Sequence, residues 1–450
     1  MGGDTAMAQT IEAFVGKTLD DAPITQTHIK VIALIAAGYF FDILDLIVLG
    51  ALIPDMVATK FATAAEAGLI GSVTLVGLFI GSFGQGQFTD RLGRRTVYQF
   101  NLLIFGVFTI LGGLAPSLTL LAVCRFIAGI GLGAEQPLTY AYAGEYAPKR
   151  IRGRILAIIH FIGGACVWPI AFLFPLLFRD TLGWRGIWIV IGVGALIVFV
   201  FRFSLPESPR WLSTHGKGAK ALEILKNMGL GEPKETLTTD AASDTKTDPF
   251  MVVFRQFPSR VVAGMICFSA FFGVSIGLGA WLPSIMNARG FDITKSLTYT
   301  FGMPLAVPCA SLFMMYALDK IGRKKTSVGA FICAGIMAIA FANAPNDTWL
   351  LVAGFIMIFF YQVAGNAMQI FASEVFPTNA RASGFGMAAG IGRLATAFIL
   401  PAILWIQTGY GTTTVFACIA VVLLIAAFSV TKLGPEAKQL GLDEVAPPTG

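Results

Sequence analysis

Five ionisable residues stand inside long apolar stretches of this chain: Asp42, Asp45, Arg125, Glu135 and Arg393. In hydrocarbon such groups cost a few kcal/mol or more each, so they usually mark a path for protons, ions or polar solutes. Asp42 and Asp45 are spaced i and i+3 and share one helix face. If their helix starts near Lys30, Asp45 lies roughly 22 Å from that face. A helix entering from the opposite face near Ser117 carries Arg125 to a depth of roughly 12 Å. In a hydrocarbon core about 30 Å thick these levels nearly coincide, so Asp45 and Arg125 are expected to pair.

The pair has two readings. Burial raises a carboxyl pKa and a nearby guanidinium lowers it, so opening and closing a cavity would let an Asp take up a proton on one side and release it on the other. The plainer reading is a static buried ion pair. Glu135 also has two readings, a second proton site or a structural cap on a neighbouring helix. Gln136 and Pro137 follow it, and a helical Pro leaves a backbone carbonyl free. Arg393 is suited to hold a carboxylate bidentately, or else to bond backbone carbonyls as a packing residue. Gln362, Asn366 and Gln369, at i, i+4 and i+7 with Tyr361 beside them, form a polar stripe fit for a cavity wall or for joining helices. Trp168 and Trp281 are placed to stack on a ring or simply to pack. His160 reads first as a packing residue and second as a proton relay.

The elements that must position these groups are membrane helices. The chain is 56% hydrophobic and 13% charged, about half the charge of a soluble protein. Its mean hydropathy is +0.74. The apolar residues fall in roughly twelve continuous runs of spanning length, not in the alternation of a β-barrel. They cover 31–53, 67–88, 97–115, 118–143, 155–178, 184–203, 261–282, 297–317, 327–344, 348–371, 383–406 and 413–431. The expectation is an all-α membrane protein of twelve transmembrane helices in two pseudo-symmetric six-helix bundles.

The sequence repeats itself at an offset of about 229 residues. The segment Gly86 to Arg95, with Asp90, Arg91, Arg94 and Arg95, corresponds to Asp319 to Lys324, with Arg323. Glu145 and Arg152 correspond to Glu374 and Arg381. Like halves of a membrane protein rock against each other about a central site. These charges, with Glu207 and Arg210, sit at helix ends on one side, where salt bridges would hold a gate shut in one state and break in the other. Their arginines also serve topology alone. About twenty-five Lys and Arg fall on the side of residue 1, against about five opposite, namely Lys60, Arg179, Arg185, Arg289 and Lys295, which predicts both termini in the cytoplasm. The net charge of +6 needs no nucleic acid to explain it.

The parts are therefore expected as follows: a cytoplasmic tail over 1–30, a six-helix bundle over 31–203, a cytoplasmic loop over 204–260, a second bundle over 261–431 and a tail over 432–450. Residues 1–30 lack the apolar core of a cleavable signal. In the loop, Ala221, Leu222, Leu225 and Met228 share a helical face. Residues 235–249 and the end of the chain read as flexible. The six cysteines form no CxxC and read as small buried hydrophobes. No enzyme motif is present: neither Gly-x-Ser-x-Gly, nor His-Glu-x-x-His, nor a phosphate-binding loop.

The repeated loop motifs resemble those of the major facilitator superfamily. The second copy has Met315 where the leading Gly would stand. Arg125 to Gly133 looks like the fourth-helix signature. Pro206-Glu207-Ser208-Pro209-Arg210, with Glu145 and Arg152, is similar to the sugar-porter-like branch, and the resemblance covers about residues 30–432. Asp42-Ile-Leu-Asp45 is similar to the paired acids of aromatic-acid proton symporters, with Ile43 in place of their Gly. Gly133 to Pro137 looks like the helix 4 element of niacin-type transporters. The resemblance implies a secondary active transporter working by alternating access, driven by the proton gradient with no cofactor, in the cell (inner) membrane and functional as a monomer. Asp42, Asp45, Arg125 and Glu135 would couple protons. Arg393, Gln136, Tyr361, Gln362, Asn366, Gln369, Trp168 and Trp281 would bind substrate. The expected substrate is a small organic carboxylate, aromatic acids among them, taken with protons. A proton-coupled sugar or polyol symporter is the other reading. A non-transporting receptor on the same fold has no need of the intramembrane acids.

Overall fold

The computed structural model describes residues 10–231, 237, 249–288, 302–378 and 380–433. A bilayer offers no water to open backbone groups, so each apolar run closes its own hydrogen bonds as a helix. A short helix, α1 (Ile11–Asp20), precedes the first half. That half holds α2 (Gln26–Ala58), α3 (Ala64–Leu92), α4 (Arg94–Gly113), α5 (Leu118–Tyr146), α6 (Arg152–His160) and α7 (Val167–Arg202). A π-helical turn at Phe161–Ala165 joins α6 to α7. Two spans of α7 meet at Gly183, where φ is 61°. The connection carries α8 (Pro209–Thr214), α9 (Gly218–Asn227) and α10 (Pro249–Gln256). The second half holds α11 (Pro258–Ala288), a 3-10 turn at Met303–Leu305 leading into α12 (Ala306–Lys320), then α13 (Arg323–Ala342), α14 (Asp347–Glu374), α15 (Arg381–Tyr410) and α16 (Thr412–Leu433). The architecture is twelve membrane helices in two halves. Among the described residues, nine helices meet a spanning length and apolarity outright.

Several boundaries differ from the expected ones. Within 1–30, residues 11–20 are helical and docked on α8 and α9, and α2 already begins at Gln26. Segment 204–260 folds three short helices, and α11 starts at Pro258. On α9, Ala221 and Leu225 are fully buried, as the expected helical face requires. Residues 238–248, Arg289, Lys295 and the tail from 434 lie outside the described residues.

Close approach of α3 and α5 depends on glycine. A Cβ at Gly81 would sit 2.1 Å from the Ile130 carbonyl, and one at Gly133 would sit 2.3 Å from the Leu78 carbonyl. Small residues in this spacing let membrane helices touch backbone to backbone. Facing outward, Ile332, Ile336 and Ile339 on α13 and Val421, Leu424, Ile425 and Phe428 on α16 are exposed, as lipid contact requires.

We call the end carrying α1, α8, α9 and the repeated loop motifs the motif end. There one apolar cluster runs through both halves, from Tyr98, Tyr140 and Leu156 to Phe268, Phe371 and Phe385. A separate cluster around Leu52, Trp184 and Trp188 belongs to the first half alone, toward the far end. The repeat is visible in backbone form. Gly93 and Gly322, equivalent in the two copies, adopt φ of 101° and 103°, a region essentially restricted to Gly.

Candidate functional site

The first charged pair joins α2 to α5. Arg125 donates from Nη1 to Asp45 Oδ1 at 2.9 Å and from Nη2 to Oδ2 at 2.6 Å. Both side chains are fully buried. The guanidinium lies 5.2 Å from the centre of the Trp188 ring, a partner the sequence did not single out. One helical turn away, Asp42 is also buried, and its Oδ1 has no hydrogen-bond partner among the described residues. Glu135, Arg393, Asp45 and Arg202 all lie within Coulombic reach of it.

The second pair is one that the sequence did not bring together. Arg202, at the end of α7, donates to Glu135 Oε1 at 2.5 Å and to Oε2 at 3.4 Å. It also donates to the carbonyls of Leu34 and Tyr98 and stacks over the Tyr98 ring at 3.7 Å. It is not among the charges singled out from the sequence, although it stands inside the apolar run 184–203. No spacing rule connects residue 202 to residue 135. Gly38 on α2 makes the room, since a Cβ there would lie 1.6 Å from Arg202 Nη2.

Arg393, on α15, reaches across to the first half. It donates to Ser82 Oγ, to the Gly133 carbonyl at 2.9 Å and to Gln136 Oε1 at 2.9 Å. Its guanidinium lies 5.2 Å from the centre of the Phe272 ring. The Gly133 carbonyl is the one that a residue with an N–H at position 137 would bind within the helix. Pro137 has none, so the acceptor is free for Ser82 and Arg393.

From Gln136 the hydrogen bonds continue into the second half. Gln136 Nε2 donates to Gln369 Oε1 at 2.7 Å and to Tyr39 Oη at 3.3 Å. Gln369 Nε2 donates to Asn366, Asn366 Nδ2 to Gln362, and Gln362 Nε2 to the Tyr361 hydroxyl. Tyr361 in turn donates to Ser275 on α11. The polar stripe is thus an amide chain that Gln136 of the first half meets at Gln369. Trp168 is half-buried just beyond the π-helical turn. Trp281 belongs to α11, and its side chain lies outside the described residues. His160 bonds the Tyr140 hydroxyl at 3.3 Å and its ring is 6.3 Å from that of Tyr39, while its Nε2 has no partner among the described residues.

At the motif end the two copies make matching contacts. Arg94 binds Asp90 at 2.8 Å and Glu145 at 3.0 Å, and Arg323 binds Asp319 at 3.5 Å and Glu374 at 3.0 Å. The two aspartates also cap helices of the other half. Asp90 accepts from the backbone N–H groups of Ala382 and Ser383 at the start of α15. Asp319 accepts from that of Arg154 at the start of α6. Carboxylates are favoured there because those N–H groups lack helical partners and carry the positive end of the dipole. Arg381 crosses to Glu145 at 2.8 Å, Arg152 lies within Coulombic reach of Glu374, and Arg94 crosses to the Thr378 carbonyl at 2.5 Å.

Other members of the expected gate act within the first half. Glu207 accepts from the backbone N–H groups of Arg94, Arg95 and Ser208. Burial nevertheless pushes its carboxyl above the usual range, against those N–H bonds. The Arg95 side chain donates to the Phe203 carbonyl. Arg91 is exposed. Arg210 donates to the Glu145 carbonyl and to Asp20, and Arg152 meets the same Asp20 at 2.5 Å. Asp20, on α1, thus joins two arginines of the motif end. The sequence reading had left it in a tail.

Buried charges in the first half, met from the second by Arg393, and two like halves that cap each other at one end are the geometry of a carrier. The family pattern described as "Sugar (and other) transporter" matches residues 31–447. The chain belongs to this family of major facilitator superfamily transporters. It is 28% identical over 435 residues to the niacin transporter NiaP of Acinetobacter baylyi, covering 95% of this chain and 98% of that one. It is 27% identical over 394 residues to the 4-hydroxybenzoate transporter PcaK of the same organism, covering 84% and 85%. The proton:xylose symporter XylE of E. coli shares the fold, with a TM-score of 0.78 and 19% identity over 93% of this chain and 98% of that one. The protein is accordingly a multi-pass membrane transporter and not an enzyme.

Proposed function

We propose that this transporter carries a small organic monocarboxylate, aromatic acids among its substrates, together with one proton. The observation that carries the reading is the charge arrangement around Arg393. The buried row holds three carboxyls, Asp42, Asp45 and Glu135, and three guanidiniums, Arg125, Arg202 and Arg393. Two of the arginines are bound to carboxylates, whereas the hydrogen bonds of Arg393 go to a hydroxyl, a carbonyl and an amide. Among the described residues, Asp42 has no guanidinium bound to it and Arg393 no carboxylate. With Asp42 ionised the row is neutral. When Asp42 takes a proton, one positive charge is left uncompensated in a medium where that is costly, and a substrate carboxylate on Arg393 restores balance. Proton and anion each favour the other, which is thermodynamic coupling. The names of the niacin and 4-hydroxybenzoate relatives support an aromatic acid.

In this reading the motif end faces the cytoplasm with both termini, and its mutual capping is the closed inner gate. The proton gradient drives the cycle and no cofactor takes part. The carrier works as a monomer in the cell membrane. Asp45 and Arg125 serve the proton path. Glu135 and Arg202 hold α2, α4, α5 and α7 together beneath it.

A sugar or polyol is the second reading, favoured by the amide chain of Gln362, Asn366 and Gln369, which suits hydroxyl groups. The two readings differ electrically. One proton with a monovalent acid moves no net charge, whereas one proton with a sugar moves one, worth about 2.3 kcal/mol per 100 mV. Uptake of benzoate, nicotinate and xylose into proteoliposomes, at zero and at imposed potential, tests this. Acid uptake driven by a pH gradient, insensitive to potential and lost in Arg393→Gln, is the expected result. Potential-driven xylose uptake with no acid uptake would replace the first reading by the second.

A further inference from the structure

We infer that the side chain of Gln136 is a place-holder for the substrate carboxylate, and that its displacement from Arg393 is the event that loosens the seam between the halves. The inference rests on the proposed reading that Arg393 receives the carboxylate.

Three observations carry it. Gln136 Oε1 accepts from Arg393 Nη2 at 2.9 Å, the distance at which a carboxylate oxygen binds a guanidinium. Its orientation is fixed by chemistry, because Arg has no acceptor and the amide must turn its oxygen that way. The amide is neutral, so it fills the oxygen's place without supplying the negative charge. A carboxylate offers the guanidinium a charge-assisted bond and displaces the amide on electrostatic grounds.

The same amide is also a tie between the halves. Its nitrogen donates to Gln369 at 2.7 Å, and through Asn366, Gln362 and Tyr361 the chain ends at Ser275 on α11. The oxygen cannot leave Arg393 without the nitrogen moving, since both sit on one planar group. Displacement therefore weakens two contacts between the halves, Arg393 to Gln136 and Gln136 to Gln369. The remaining contacts of Arg393 with Ser82 and the Gly133 carbonyl keep the guanidinium at the seam to receive the anion.

Gln136 is well chosen for this role. It follows Glu135, whose carboxylate is held by Arg202 and cannot reach for Arg393. It precedes Pro137, which frees the carbonyl that holds Arg393 in place. One turn of α5 thus carries the anchor of the guanidinium, its temporary occupant and a fixed counter-ion.

The test uses full-length purified protein as wild type, Arg393→Gln, Gln136→Leu and Gln136→Glu, with Gln136→Asn in reserve should the leucine fail to fold. Binding of benzoate and nicotinate is measured by calorimetry at about pH 5.5, where protons are available to bind with the anion. Hydrogen exchange over 381–384, where the N–H groups of Ala382 and Ser383 donate to Asp90, reports the seam. Gln136→Leu is expected to bind benzoate roughly threefold tighter or more, because the resident competitor is gone, and to exchange faster over 381–384 without ligand. Gln136→Glu should lose roughly tenfold or more, because it places a permanent carboxylate on Arg393. Weaker or unchanged binding in Gln136→Leu, with wild-type binding intact and dependent on Arg393, overturns the place-holder and leaves the anion reading standing. Faster exchange is required as well; unchanged exchange overturns the role at the seam. No binding of either acid by the wild type overturns the anion reading itself, and this inference with it.

Discussion

Arg393 of the second half is held by a carbonyl that Pro137 of the first half leaves open. The Gly133 oxygen accepts from Arg393 Nη1 at 2.9 Å and from Ser82 at 2.5 Å in place of a helical N–H. A proline within a helix costs about 3 kcal/mol, and here the lost bond becomes an acceptor between halves. Pro137→Ala should raise the melting temperature of the purified protein while weakening benzoate binding, because the restored N–H competes with Arg393. A rise in both quantities would show that the open carbonyl plays no part in holding the guanidinium.

The two aspartates of α2 should separate by function. Asp45→Asn leaves Arg125 without its bidentate partner, so uphill accumulation of the acid is expected to vanish while exchange across the membrane continues. Asp42→Asn removes the carboxyl whose Oδ1 has no hydrogen-bond partner among the described residues. Its acid binding should lose its dependence on pH, with the neutral amide standing in for the protonated acid. Accumulation assays and binding measured at two pH values check both. Normal accumulation by Asp45→Asn would leave the pair as a static bridge.

Glu135 and Arg202 form a buried pair whose members depend on each other. Removing one strands the other charge, at about 3–5 kcal/mol. Glu135→Gln and Arg202→Met should each lower thermal stability markedly, whereas the double variant should recover much of the loss. A double variant as unstable as the sum of the singles would mean that Arg202 matters chiefly through Leu34, Tyr98 and the ring beneath it.

Gly93 and Gly322 should both resist alanine, and a second cause acts at Gly93. Both lose their backbone conformation, at roughly 1–3 kcal/mol each. At Gly93 an added Cβ would also meet Glu207 Oε2 at 2.4 Å, in the carboxylate that caps the start of α4. Gly93→Ala is therefore expected to lower the melting temperature, and combining it with Glu207→Ala, which removes the clash, should recover part of the loss. No recovery in the double variant would show that Glu207 moves aside without consequence.

Much of this protein was legible in its sequence, for reasons that do not depend on tertiary detail. Apolar runs of spanning length become helices because the bilayer leaves backbone groups no other partner. The offset repeat announces two like halves, since a duplicated motif keeps its place in each copy. Asp45 and Arg125 were paired by depth alone, because a 1.5 Å rise converts residue number into level. That arithmetic works along a helix axis and says nothing about direction around it.

What only the tertiary structure decided is which faces turn toward one another. Arg202 carries no mark in the sequence beyond its place near the end of an apolar run, and only the notch at Gly38 brings it under α2 to Glu135. Asp20 lay in an apparent tail until α1 docked it on Arg152 and Arg210. Glu207 joins the gate charges in the sequence by its place at a helix end, and its partners there, the backbone N–H groups of Arg94 and Arg95, appear only in the fold. The free carbonyl next to Pro137 could be foreseen, but its partner, Arg393, lies in the other half. Helix rotation and the register between halves are set by packing many side chains at once, so contacts of this kind carry no local signature in the chain.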